Sequence, residues 1–288
     1  ALSFLQRSHG RQKNSGRKER SMPFKSPKEI AEAACSAGTA KTQLPWDKML
    51  VLGILAGAYI AFGAQLAVTA AAGTWATNSP GLQKLIFGGV FPVGLMLVVI
   101  AGSELFTGNC AIPVLSCMTG RARISGLMKN WFFVYIGNFI GALIVAYFLA
   151  HQSGLFSGTP WHEYIGKIAS AKCSLSWEQA FLRGVGCNWL VCLAVWMAMS
   201  SDSVIGKVWA IWWPIMAFVT LGYEHSVANM FFIPTGIFEG ATYAGTGLSV
   251  TWADFITNNL IPVTLGNILG AAVFVSGAYW YVYMKDAK

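Results

Sequence analysis

The sequence predicts an all-α membrane protein. Six segments cross the bilayer as two copies of a three-segment unit facing opposite ways, and segments two and five are broken. Three observations carry this. Of the 288 residues 55% are hydrophobic and only 11% charged, whereas soluble domains carry about 25% charged residues. Six long stretches carry no charge at all. Finally, one polar pattern occurs twice, each time where a shorter apolar stretch ends.

The amino-terminal 44 residues stand apart as a basic tail and amphipathic segment, and residues 45–288 form the membrane domain, with halves near 45–150 and 178–285. Ten of the 20 Lys and Arg precede residue 50. The run "RSHGRQKNSGRKERSMPFKSPKE" is rich in Arg and Ser and poor in acids, like the end of an organelle transit peptide; a solvated tail that orients the first helix reads equally well. No aromatic residues alternate with its charges, so nucleic acid is not implied.

The charge-free stretches are Met49–Trp75, Leu85–Gly102, Trp131–Ala150, Gly184–Ser201, Val208–Tyr223 and Phe255–Met284. A spanning helix needs about 20 apolar residues, so four of them span or nearly so. The second and fifth end early, in "GSELFTGN" (102–109) and "GYEHSVAN" (222–229), both reading G-x-E-x-x-x-small-N. Each leads to a similar step, "AIP" (111–113) and "FIP" (232–234), and each half later carries an echo, "GNFIGA" (137–142) and "GNILGA" (266–271). Three segments per copy is an odd number, so successive copies are inverted. Paired interrupted segments of this kind point to a binding site near the midplane.

A broken helix frees backbone groups that are tolerated only inside protein or along a wet cavity. Glu104 and Glu224 are expected to accept hydrogen bonds from the donors freed at their own breaks. Pro113 and Pro234 fit the first turn of a restarted helix, whose positive end attracts an anion. His225 has no counterpart in the first break, where Leu105 stands. An ionisable group at such a position is a functional candidate.

One side collects 16 basic residues: the ten before residue 50, then Arg121, Arg123, Lys129, Lys207, Lys285 and Lys288. The other holds Lys84, Lys167, Lys172 and Arg183. The positive-inside rule therefore places both termini on the cytoplasmic side or its organelle equivalent. The six cysteines form no CxxC pair, so a structural metal and a disulfide framework are not implied.

At these residues the chain resembles the formate/nitrite transporter family, channels or transporters for small monovalent anions. "GSELFTGN", "NWFFVYIGN", "NWLVCLAVWMA", "GYEHSVANMFFIP" and "NNLIPVTLGN" carry the likeness, in order, between about Pro45 and Met284. The resemblance implies an aquaporin-like six-helix protomer, a homopentamer in lipid, and no cofactor or enzymatic activity. It puts the central histidine at His225, with Thr107 touching it and Asn229 beside it, both bonding ring or anion. It assigns apolar constrictions to Phe91, Leu95, Phe106 and Phe218, an anion-attracting charge to Lys172, and break-loop support to Asn109 and Asn188 together with Glu104 and Glu224. Arg183 has no family role and either adds to the positive field or pairs with an acid. The basic tail resembles green-algal, low-CO2-inducible chloroplast-envelope members. That implies bicarbonate or nitrite passage across the inner envelope with stromal termini; a proton-coupled formate/nitrite transporter of another membrane is the alternative.

Other classes fit less well. The twin Asn-Pro-Ala boxes of water channels are absent, the breaks reading "TGNC" and "VANM". A membrane enzyme wants several converging polar groups, yet His9 lies in the tail and His151 and His162 in a loop. A purely structural protein does not explain the repeated polar pattern.

Overall fold

Ser26 and Glu29 close a capping box around Pro27 and so start the first helix of the computed structural model, which describes residues 24–75 and 79–286. The basic run before residue 24 lies outside the described residues. In chain order the helices are α1 (Pro27–Gln43), α2 (Trp46–Trp75), α3 (Pro80–Gly102), α4 (Phe106–Met118), α5 (Ile124–Gln152), α6 (Trp161–Cys173), α7 (Trp177–Met199), α8 (Val204–Leu221), α9 (Ser226–Phe238) and α10 (Trp252–Met284). Six of them, α2, α3, α5, α7, α8 and α10, are long and apolar enough to cross a membrane. All six coincide with the charge-free stretches.

The two breaks are built alike. Gly102 and Gly222 end α3 and α8 with φ of +88° and +79°, a left-handed turn that glycine adopts without steric cost. The chain then runs extended through Leu105 and His225 before α4 and α9 begin. Pro113 lies at the start of the regular second part of α4, as expected. It cannot donate to the Asn109 carbonyl, and the Trp131 indole N–H does so instead at 2.9 Å. Pro234 departs from the expectation. Helix α9 restarts at Ser226, so Pro234 lies within it near its end.

The echoed "GN..GA" segments bring helices into backbone contact. In the first half α5 packs on α2, and a Cβ on Gly141 would lie 1.9 Å from the Ile54 carbonyl oxygen. In the second half α10 packs on α7, and a Cβ on Gly270 would lie 2.2 Å from the Val185 oxygen. Small residues at such seams let helices approach where lipid gives no hydrophobic drive. We expect Gly141→Ala to destabilise the fold by about 3 kcal/mol, the upper end of the usual overpacking cost, since the clash is with backbone and cannot be relieved by a rotamer. Gly73, which has open space around it, is the control. Thermal melts in detergent should show a lowered midpoint for Gly141→Ala and none for Gly73→Ala.

The repeat extends beyond the six spans. Helix α1 precedes α2 and packs on α4, where Ser116 donates to the Cys35 carbonyl at 2.7 Å. Helix α6 precedes α7 and packs on α9. Each copy is therefore a short flanking helix plus three spans. At the far end of α9, Glu239 takes His151 of α5 at 2.8 Å and His162 of α6 at 3.0 Å, fastening three elements at one point.

Candidate functional site

At each break an asparagine replaces the missing helix bonds. The Asn138 amide donates to the Gly53 and Glu104 carbonyls at 2.8 and 2.9 Å, and its oxygen accepts the Phe106 N–H at 2.8 Å. Asn267 repeats this on Gly184 and Glu224 at 2.8 and 3.0 Å and on the Ser226 N–H at 2.9 Å. The Glu104 and Glu224 N–H groups reach the Leu52 and Arg183 carbonyls, each at 3.2 Å. The expectation that the two glutamate side chains take the freed backbone donors is thus corrected. The carboxamides do that, because their paired donor and acceptor match a gap that offers both.

The glutamates anchor a second layer. Glu104 binds Lys41 at 2.6 Å and Asn109 at 2.7 Å, and Asn109 also donates to Asn130 at 2.8 Å. Glu224 binds Lys172 at 2.9 Å, Asn229 at 2.6 Å and Asn259 at 3.1 Å, and Asn229 donates to Asn259 at 2.7 Å. Lys172 is consequently an ion-paired residue, not a free charge. Sequence reasoning missed Lys41, Asn130, Asn138, Asn259 and Asn267. The signal was present, since Asn138 and Asn267 are the asparagines of the repeated "GN" steps.

Two cavities adjoin the two breaks. One, about 310 Å³, is lined by Lys84, Lys172, Arg183, Phe91, Phe218, His225 and Asn229 among others. The other, about 440 Å³, is lined by Lys41, Glu104, Leu95, Leu105, Gly108 and Asn109 among others. Lys84 and Arg183 enter no ion pair among the described residues and stand in the first cavity as its uncompensated charges. Phe91 and Leu95, one turn apart on α3, face opposite cavities. The Phe218 ring lies 6.0 Å from Phe91 and 5.9 Å from the His225 ring.

Phe106 is not in this partition. Its ring packs on Tyr135 and Trp131 at 4.7 and 5.9 Å, in an apolar cleft between α5 and α10. Leu105 is extended, so neighbouring side chains point to opposite sides; Leu105 therefore takes the cavity wall that Phe106 was expected to form.

His225 is buried, 3% exposed, at the amino end of α9. Its Nδ1 accepts the Ala228 N–H at 3.0 Å, and its Nε2 lies 2.9 Å from Thr107 Oγ1. An Nδ1 that accepts carries no proton, so a neutral ring is the Nε2–H tautomer and donates to Thr107. The Thr107 hydroxyl hydrogen then remains to be given. The Thr107 carbonyl is held by Asn188 at 3.0 Å and by the Cys192 thiol at 3.4 Å, and Asn188 also donates to the Asn267 carbonyl at 2.8 Å. Asn188 thereby ties the two breaks together. Asn229 makes no hydrogen bond to the His225 ring; its amide hydrogens go to Glu224 and Asn259.

An inverted repeat with two charged cavities, an apolar partition and one imidazole–hydroxyl pair between them defines a membrane channel or transporter for a small solute. A family model described as "Formate/nitrite transporter" matches residues 28–281. The chain belongs to the formate/nitrite transporter family, whose members are channels and transporters and not enzymes. It is 52% identical over 278 residues to a probable formate transporter of Methanothermobacter thermautotrophicus, covering 91% of this chain and 98% of that one. It is 37% identical over 273 residues to the formate channel FocA of Escherichia coli K12, covering 90% and 95%. Among solved structures, an ion channel of the same family superposes with a TM-score of 0.79 at 32% identity, covering 88% and 98%. A pentameric formate channel with formate bound superposes with a TM-score of 0.71 at 36% identity, covering 83% and 98%.

Proposed function

We propose that this chain passes small monovalent weak-acid anions, formate and nitrite, across a membrane through the partition beside His225, as one pore of a homopentamer. The observation that carries this is the His225–Thr107 pair: a donor-bearing polar group set within an otherwise apolar barrier. Lys84 and Arg183 raise the anion concentration in their cavity. Phe91, Leu95, Leu105 and Phe218 then exclude hydrated and multiply charged ions, for which an apolar passage is costly. Thr107, through its free hydroxyl hydrogen, is the donor that meets the substrate oxygen. The relatives support this substrate class, since the archaeal and Escherichia coli proteins above are named for formate, and a solved relative with formate bound is a pentamer.

The bicarbonate reading, with an inner chloroplast envelope location and stromal termini, rests on the basic, Ser-rich tail and the loop charges. The archaeal and bacterial relatives lend it no support, so formate stands first. Uptake of formate, nitrite and bicarbonate into proteoliposomes tests both. We expect formate and nitrite to enter faster than bicarbonate by at least about tenfold, which is the factor that about 1.4 kcal/mol of selectivity sets. Faster bicarbonate entry would reverse the order, and no flux of any of the three would sink the anion reading altogether.

A further inference from the structure

Two further cavities lie one beyond the other along α5. The first, about 450 Å³, sits where α1 ends and α5 begins, and Thr42, Gln43, Arg121, Arg123 and Ser125 are in its lining. Arg121 is paired with Glu32 of α1. Arg123 is exposed and enters no ion pair among the described residues. Lys129, one turn beyond Ser125, donates to the Leu44 carbonyl at 3.0 Å and likewise has no acid partner among them. This end of α5 thus carries two positive charges that no described acid answers.

The second cavity, about 530 Å³, is the apolar cleft between α5 and α10. Met128, Phe132 and Ile136 form one rim, Ile261 and Leu265 the other. All five are exposed, Phe132 by 61%. The polar groups of the cleft turn inward: Tyr135 Oη and Thr264 Oγ1 bond each other at 2.8 Å, and the Trp131 indole goes to the Asn109 carbonyl. What fits there is hydrocarbon, since a polar occupant would find no partner. Ser125, Phe132 and Ile136 stand at i, i+7 and i+11, so pocket and cleft share one face of α5. Trp46, exposed at the start of α2, rests on Phe133 with ring centroids 5.7 Å apart. Tryptophan favours the membrane boundary, so the pocket faces the headgroups and the cleft faces the chains.

We propose that pocket and cleft together hold one anionic phospholipid. Its phosphate lies by Arg123 and Ser125, within reach of Lys129, and one acyl chain enters the cleft between α5 and α10. Basic pockets between membrane helices select anionic headgroups in this way. The inner wall of the cleft is Phe106, whose N–H is held by Asn138. The acyl chain therefore packs against the first break from its lipid side.

Native mass spectrometry of the full chain in detergent, titrated with dioleoyl phosphatidylglycerol or dioleoyl phosphatidylcholine, gives the ratio of their affinities. Native protein is expected to prefer the anionic lipid by about twentyfold, which is fivefold for each of two basic side chains at such a surface. Arg123→Gln changes an exposed residue and should lower the preference about fivefold. Lys285→Gln, at the end of α10 and outside the pocket, should leave it unchanged. Leu265→Trp narrows the cleft and should weaken both lipids while keeping their ratio. Dihexanoyl phosphatidylglycerol and inorganic phosphate lack the long chain and should not bind at the same concentrations. Melting curves run alongside confirm that each variant is folded. Equal affinity for the two long-chain lipids, or a preference that survives Arg123→Gln, overturns the proposal. Phosphate binding as tightly as the anionic lipid would make the pocket an ion site, and loss of the oligomer in Leu265→Trp would give the cleft to a second copy; either result overturns it as well.

Discussion

Glu224→Ala is expected to abolish correctly folded protein in the membrane, or to lower its thermal midpoint more than any other single change at the site. The Glu224 carboxylate is 4% exposed and holds an ammonium and two carboxamides. Its removal leaves the Lys172 charge, itself only 16% exposed, without a counter-charge. Breaking a buried pair from one side costs about 3–5 kcal/mol, against a total stability of about 5–15 kcal/mol for a folded domain. The Lys172 stem also packs with its ammonium 5.5 Å from the Phe232 ring, so the disturbance reaches the cavity wall. Glu224→Gln keeps volume and an acceptor and should lose less. Adding Lys172→Met to Glu224→Gln should recover part of that loss, because the unpaired charge goes with it. The matching change Glu104→Ala should be milder, since its partner Lys41 is 23% exposed and keeps more water. Melting curves in detergent decide the matter. A Glu224→Ala midpoint equal to the native one would show that the carboxylate does not hold the break.

The architecture was legible because its causes are periodic and apolar. Charge-free runs of spanning length are seen directly, and the repeated Gly-Glu-Asn pattern marks both breaks. The inner wiring was less legible. A glutamate beside a break can bind backbone, lysine or amide equally well in sequence terms; only the fold shows that Asn138 and Asn267, 32 and 41 residues from the N–H groups they accept, reach the backbone first. Lys41 was hidden because α1 looked like part of a tail, although its place before α2 mirrors that of Lys172 before α7. Phe106 and Leu105 are neighbours, so resemblance alone did not separate which of them lines the Lys41-side cavity, and the extended backbone at Leu105 decides it.

Where the two halves differ, the chemistry is found. His225 stands opposite Leu105, and Asn188 occupies on α7 the place that Gly57 holds on α2, four residues beyond Gly184 and Gly53 respectively. At Gly57 a Cβ would lie 2.0 Å from the Asn138 carbonyl oxygen, so the first half has no room there for a side chain. In the second half Asn188 uses that approach to donate to the Asn267 carbonyl and to Thr107. The scaffold is thus duplicated and the polar centre is single.

Thr107→Val is expected to cut formate flux by about ten- to a hundredfold and to lower stability by roughly 1–3 kcal/mol, because volume is nearly kept but the hydroxyl is lost, leaving the buried His225 Nε2–H without its acceptor. The hydroxyl has two duties in this geometry. It accepts from His225 at 2.9 Å, and under the proposed function it presents its own hydrogen to the passing oxygen. Thr107→Ser retains both and should restore most of the flux. His225→Asn keeps a side-chain oxygen that can take the Ala228 N–H as the imidazole does, but it is too short to reach Thr107 as well, so it should resemble Thr107→Val. The double change Thr107→Val with His225→Asn should then be little worse than either alone, since members of one hydrogen-bonded unit are not additive. Formate uptake by the four proteins in liposomes, with melting curves run alongside, reads this out. If Thr107→Val and Thr107→Ser conduct equally, the threonine only fills space. If the double variant shows the product of the two single losses, His225 and Thr107 act on the substrate separately and the relay between them is wrong.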